Sequence, residues 1–112
     1  MIFNLKKLLK LLNQYYYFHF ENRNGVYYFR TDDGKNIIIT IVEKLLNINN
    51  IDLKNDSDNG IGVKLISEII TFAKGEGIKT ILVIEVNNFS RSAFGKLGFL
   101  KEEGTNNMIL RF

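Results

Sequence analysis

A chain of 112 residues with 46% hydrophobic content, nine Phe and five Tyr has the length and apolar content of one domain with its own core, over residues 1–112. It has no cysteine, which excludes thiol chemistry, disulfides and thiolate metal sites and suits a cytoplasmic protein, and its one histidine, His19, excludes a metal site built from several histidines of one chain. A net charge of +3 spread over scattered lysines argues against a nucleic-acid partner, and no segment approaches the ~20 apolar residues of a membrane span.

Leu5, Leu8, Leu9 and Leu12 fall at the spacing of one helical face and predict a helix over residues 3–13, with Lys6, Lys7 and Lys10 off the stripe. The mixture of leucine and lysine from Met1 to Leu12 lacks the unbroken apolar run of a signal peptide. Packing of this helix on a core outweighs a membrane-surface role for its lysines. Tyr15 to Glu21 and Val26 to Thr31 read as strands joined by an Asn24-Gly25 hairpin turn. After a second turn at Thr31-Asp32-Asp33-Gly34 come strands at Asn36 to Val42 and Leu46 to Leu53, so the first half is an antiparallel meander. His19 falls within the first strand and is expected to be structural.

The period then changes. Ile61, Leu65, Ile66, Ile69, Ile70 and Ala73 trace a helical face from Gly60 to Lys74, stopped by Gly75 and Gly77. Ile78 to Val86 is nearly all apolar, which predicts a strand covered on both faces. A short helix from Ser90, as N-cap, to Leu97 follows, then a hairpin of Leu100 to Glu103 and Met108 to Phe112 about Gly104-Thr105-Asn106-Asn107. Strand, helix and strand in this order form a right-handed parallel crossover. The fold class is therefore mixed α/β: an antiparallel meander, a parallel β-α-β crossover, a short helix and a terminal hairpin.

Such a crossover sets the loop between Leu53 and Ile61 at the carboxyl end of one strand and the amino end of a helix. Unpaired N–H groups and the helix dipole make that an anion pocket. Gly60 and Gly62 allow the backbone a close approach to a phosphate.

The stretch Asn59-Gly60-Ile61-Gly62-Val63-Lys64-Leu65-Ile66 resembles the acyl-CoA motif of GNAT N-acetyltransferases, a Gly-x-Gly opening an aliphatic helix. Asn87 to Phe99, with its Phe94-Gly95-Lys96-Leu97-Gly98-Phe99, is similar to that family's second signature. The resemblance covers residues 46–112 closely and the first 45 by element order. It implies the GNAT-like acyl-CoA N-acyltransferase fold, acetyl-CoA as cosubstrate, and an amine acceptor, a protein amine among them. It also implies roles: backbone at Leu53 and Lys54 for the pantetheine, amides of Asn59, Gly60, Ile61, Gly62 and Val63 for the pyrophosphate, Asn87 for the pantetheine arm, and Ser90 and Phe94 lining the thioester. No metal is implied.

The chain departs from the family pattern in three respects. Ser57 stands where the family carries Arg or Gln, and Asp56 and Asp58 set carboxylates beside the pyrophosphate, so weak acetyl-CoA binding is expected. One missing charge-assisted hydrogen bond is worth about 1.5–3 kcal/mol. Phe94 replaces the tyrosine that reprotonates the thiolate, and the paired helices that usually follow the first strand are absent. Asp52, at the end of the fourth strand, and Glu85, inside the fifth, are the candidate bases, although a carboxylate on the exposed face of a strand is ordinarily just solvated. The rival reading is a catalytically decayed GNAT-like module acting through a protein partner, such as a phage or plasmid anti-defence protein, and a dimer is left open.

Overall fold

The computed structural model describes residues 3–53, 60–86 and 88–112. In chain order these form α1 (Leu5–Leu12), β1 (His19–Arg23), β2 (Val26–Arg30), β3 (Asn36–Val42), β4 (Leu45–Asp52), α2 (Ile61–Gly75), β5 (Thr80–Val83), α3 (Asn88–Lys96), β6 (Leu100–Lys101) and β7 (Met108–Arg111). The strands make one sheet in the order β1-β2-β3-β4-β5-β7-β6. β4 and β5 pair in parallel through the α2 crossover, and the remaining pairs are antiparallel.

Local chemistry accounts for most boundaries. Asn4 caps α1, its Oδ1 accepting the Lys7 N–H at 3.2 Å. The Asn24-Gly25 turn is left-handed at both residues (φ 51° and 83°), the geometry whose twist suits a two-residue hairpin. The expected first strand loses its start: Tyr15 to Phe18 lie outside β1. Tyr15 and Tyr16 N–H groups return to the Leu12 carbonyl, and the Phe18 N–H donates to Asn13 Oδ1 at 2.8 Å, which extends the end of α1 in place of a strand. α3 starts at Asn88, two residues before the expected cap at Ser90. It closes with Phe99 N–H bonded to Phe94 O and Gly98 N–H to Gly95 O, a Schellman motif that turns the chain straight into β6.

Direct strand partners share a face, so the register sorts the side chains. Phe29, Ile37, Ile39, Leu46, Ile48, Ile81, Val83 and Met108 lie on one face, each at most 4% exposed. All three helices cover that face. α1 contributes Leu5, Leu8 and Leu12, α2 contributes Leu65, Ile66, Ile69, Phe72 and Ala73, and Phe94 of α3 joins the same core. α1 is tied to α2 at both ends. The Asn4 N–H donates to Glu76 Oε1 at 2.7 Å, and Glu68 Oε2 accepts from Tyr15 Oη and Gln14 Nε2 at 3.1 and 3.0 Å.

The opposite face is different. Val26, Tyr28, Ile38, Thr40, Leu45, Asn47, Leu82 and Ile109 are half-buried, and no described strand residue on this face is fully buried. The expectation that the apolar run around β5 is covered on both faces is thus overturned. Ile81 and Val83 enter the core, while Leu82 and Ile84 stay half-exposed on a sheet with one helical layer. The overall extents, 33 × 32 × 22 Å, are those of a two-layer plate.

A buried cation fixes the β2–β3 turn. Lys35 is 6% exposed; its Nζ pairs with Asp33 and lies 4.5 Å above the Tyr16 ring centroid. The hydrogen bond from Lys35, then that from Thr31, lowers the Asp33 pKa from 3.8 to about 2. A depressed carboxylate stabilises the fold above its unfolded pKa, and that contribution is lost as pH falls through its folded value. Acid melting of the wild type should therefore show a loss of Tm between pH 4 and 2 that Asp33→Asn reduces; equal slopes would mean that the pair contributes nothing.

Candidate functional site

The parallel pair does not run its full length. Pairing stops at Ile48↔Val83, and the last bond across it is Ile84 N–H to Ile48 O at 3.2 Å, although β4 continues to Asp52. Two devices part the strands. In β4, Ile38 pairs with Asn50 while Ile39 pairs with Ile48, so Asn49 is an extra residue, a bulge. Its Nδ2 donates to Thr40 Oγ1 at 3.1 Å. The bulge restores phase, and Ile51 follows Ile48 onto the core face.

In β5 the device is Glu85, a non-glycine residue with φ 55°. Successive N–H groups along a strand alternate sides, so the Val86 N–H would face β4 as that of Ile84 does. The left-handed residue turns it round, and it bonds Asn106 O at 2.8 Å. The Glu85 N–H is taken by Asn107 Oδ1 at 3.0 Å, and Asn107 Nδ2 donates to Glu102 Oε1 at 3.2 Å. The end of β5 is thereby clamped to the β6–β7 hairpin and held away from β4. Asn107→Ala should remove this clamp with little effect on the core. If the gap holds a ligand, the variant's Kd should rise about tenfold, the ~1–1.5 kcal/mol of a lost hydrogen bond. An unchanged Kd would show that the clamp is irrelevant to the gap.

α2 begins at the mouth of the gap. Gly60, at φ 69°, is its N-cap and provides no capping side chain, and among the described residues no side chain caps the N–H groups of Ile61, Gly62 and Val63. No acidic residue lies in the first turn, which Lys64 closes. A Cβ on Gly62 would stand 3.4 Å from Leu53 Cδ1, an ordinary contact that places the first turn of α2 against the end of β4. Of the residues expected to hold the cosubstrate, Gly60, Ile61, Gly62 and Val63 form the first turn of α2, and Gly62 lies against Leu53, the residue after β4. Lys54, Asn59 and Asn87, together with Asp56, Ser57 and Asp58, lie outside the described residues. Ser90 belongs to the first turn of α3.

Of the remaining expected residues, Phe94 is 0% exposed and packs edge-to-face on Phe99, with centroids 5.1 Å apart. In this state its ring is core. Asp52 ends β4 half-buried and Glu85 follows β5 exposed, so the two carboxylates flank the gap from neighbouring strands. His19 is on the edge strand β1, 3.1 Å from Asp32 and three strand spacings, roughly 14 Å, from β4. It has no part in the gap. Asn49, Glu85 as a backbone device, and the pair Asn106 and Asn107 were not legible from the sequence as parts of the site. Only the strand pairing gives them a role. Among the described residues no cluster of His, Asp or Glu suits a metal, and no helix is long and apolar enough to cross a membrane.

No protein-family model and no curated protein sequence matches the chain. Solved structures do. The PaiA N-acetyltransferase of Thermoplasma acidophilum, in complex with coenzyme A, is 20% identical with a TM-score of 0.60 over 78% of this chain. The chain spans 60% of that protein's length. Tetrahymena GCN5 is 14% identical with a TM-score of 0.64, over 99% of this chain and 89% of its own. A Bacillus subtilis acetyltransferase in complex with CoA is 18% identical with a TM-score of 0.56, over 100% and 95%. These likenesses are of fold, a mixed sheet with a parallel crossover. The chain has the GNAT acyl-CoA N-acyltransferase fold.

Proposed function

We propose that the protein is an acetyl-CoA-dependent N-acetyltransferase acting on an amine. The observation that carries this reading is the opening of the β4–β5 pair beyond Ile48 and Val83, directly beside an uncapped helix N-terminus. Those features fit the two ends of the cosubstrate. The N–H groups of Ile61, Gly62 and Val63, with the helix dipole behind them, suit a pyrophosphate. Beyond Ile48, β4 is not paired with β5, and its backbone suits the amides of a pantetheine arm. Arg91 of α3 keeps a buried Nε without a hydrogen-bond partner among the described residues, a donor suited to an anion.

When bound, acetyl-CoA supplies the thioester from which the acyl group is transferred. The chain's own contribution is to position and to polarise. Asp52 and Glu85 are the carboxylates at the gap that can take a proton from the acceptor ammonium, which frees its lone pair to attack the thioester carbonyl. Phe94 has no proton to return to the thiolate, so water or the acceptor must supply it. Like the family-implied roles of Lys54, Asn59, Asn87 and Ser90, a protein-borne amine acceptor and a cytoplasmic location are parts of this proposal.

Two measurements test it. Calorimetric titration should show acetyl-CoA binding, weaker than micromolar. Because the chain has no cysteine, a thiol reagent reads released CoA without background when model amines such as polylysine are offered. Heatless titration at millimolar acetyl-CoA would sink the enzyme. It would leave the second reading, a scaffold that acts by binding a protein, which the buried, proton-less Phe94 favours.

A further inference from the structure

The end of the molecule opposite the gap gathers charge that the sequence scatters, and from it we infer a docking site for an anionic lipid surface. Main-chain bonds beyond the last strand pairs build it. The Lys79 N–H donates to Lys44 O at 2.8 Å, and the Phe112 N–H to Lys79 O at 3.0 Å. Lys44, Lys79 and Phe112 thus stand side by side, at the amino ends of β4 and β5 and the end of β7. α2 finishes over the same edge, with Lys74 Nζ 5.4 Å from the centroid of the Phe112 ring. From α1, Lys7 Nζ lies 3.5 Å from the place of a Cβ on Gly75, in that last turn. On the far side of the edge one row of strand partners runs Val42, Leu45, Thr80, Arg111. Lys7, Lys44, Lys74, Lys79 and Arg111, all exposed, thus meet from five separate segments. Two carboxylates oppose them: Glu43 in the β3–β4 turn, and Glu76, which accepts the Asn4 N–H. The balance equals the net charge of the whole chain, +3.

Part of this charge serves the fold, since Lys7 and Lys74 offset the carbonyl end of α2. Lys44, Lys79 and Arg111 have no such task, and among the described residues none of them forms an ion pair. The apolar residues between them select the partner. Val42 at 62% and Phe112 at 43% are two of the four exposed large hydrophobic side chains among the described residues. A phosphate backbone gains nothing from Val42. A nucleic-acid single strand also needs open ring faces on which bases stack, and Lys74 already lies over Phe112. A bilayer interface uses both features. Apolar tips enter between headgroups, while lysine stems carry their ammonium groups to the phosphates. Each cation near an anionic leaflet adds to an attraction that falls off within a Debye length. The gap lies at the carboxyl ends of β4 and β5, so the eight residues of β4, roughly 25 Å, hold it off the lipid. A docked protein presents its gap to solution, and the inference stands whether or not the gap holds a cosubstrate.

Vesicles of phosphatidylcholine with about one third phosphatidylserine should retain the full chain on sedimentation at ~0.1 M salt. Pure phosphatidylcholine vesicles should not, and ~0.5 M salt should release the protein. Lys79→Glu should weaken binding about tenfold, because it removes one attraction and adds one repulsion at the edge. Lys101→Glu is the matched control. It makes the same change in net charge at the gap end of the sheet, where Lys101 pairs with Met108 and Met108 with Val83. It should bind within about twofold of wild type. Both lysines are exposed, so Tm should hold in each variant. Absent retention on anionic vesicles overturns the inference, as do equal retention on neutral vesicles and equal losses in the two variants. An oligothymidine that binds more tightly than the vesicles do overturns it too, by assigning the edge to nucleic acid.

Discussion

Gly60→Glu should abolish measurable acetyl-CoA binding while leaving a folded protein. Two effects separate by size. The backbone at residue 60 has φ 69°, where a side chain costs roughly 1–2 kcal/mol, so Tm should fall by several degrees. A Cβ there meets nothing within 4 Å, so no steric clash adds to that cost. The larger effect is electrostatic: a carboxylate at the N-terminus of α2 occupies the position of an anion and satisfies the same N–H groups. Loss of those contacts is expected to raise Kd at least a hundredfold, about 2.7 kcal/mol. Gly60→Asn is the control, since asparagine tolerates the left-handed conformation and brings no charge. It should bind within a few-fold of wild type. If Gly60→Glu bound normally, the anion site would have to be elsewhere.

Phe94 gives the largest expected change in stability. Its ring is fully enclosed and meets Phe99 edge-on, so Phe94→Ala should destabilise by about 3–5 kcal/mol. Against the 5–15 kcal/mol of an ordinary domain, that approaches unfolding at physiological temperature. The conservative change is more informative. Phe94→Tyr would install the proton donor that the family pattern carries, but here it buries a hydroxyl. An unpaired hydroxyl costs about 1–3 kcal/mol, a Tm loss on the order of 5–20 °C. Urea melts should show that loss, and the rate of CoA release should not rise. A rise in turnover at unchanged Tm would mean that the ring leaves the core during the reaction.

Much of the scaffold was legible because its signals are local. Asn24-Gly25 specifies a turn by backbone chemistry, Asn36 to Val42 is a β-branched run between turns, and the α2 stripe keeps its period for four turns. Those elements lie within two residues of their expected bounds. The misreadings have a common origin in what surrounds a segment. Tyr15 to Phe18 have strand propensity, yet the helix before them captures their N–H groups. Ile81-Leu82-Val83-Ile84 is apolar on both faces, but composition does not tell whether a second layer of helices is there to cover it. The site divides likewise. The glycines that open α2 mark a helix start without a capping side chain, whereas Asn107 is one polar residue in a turn until the end of β5 is placed beside it. Phe94 was expected to line a ligand, and only its packing on Phe99 shows the ring to be interior.

The strand order bears on how the chain folds. β1 to β4 pair strictly with their neighbours in sequence, so the meander assembles through short loop closures. The second half cannot. β7 is the last strand in the chain yet lies between β5 and β6, with Thr80 joined to Arg111 and Val83 to Met108. β5 therefore waits with one edge unpaired until a segment some 30 residues later reaches it, whereas β6 and β7, neighbours in sequence, close on each other through a short loop. Seating β7 is the step that closes the sheet. The same step brings Asn106 and Asn107 to the end of β5, so the gap takes its shape when folding ends and not before.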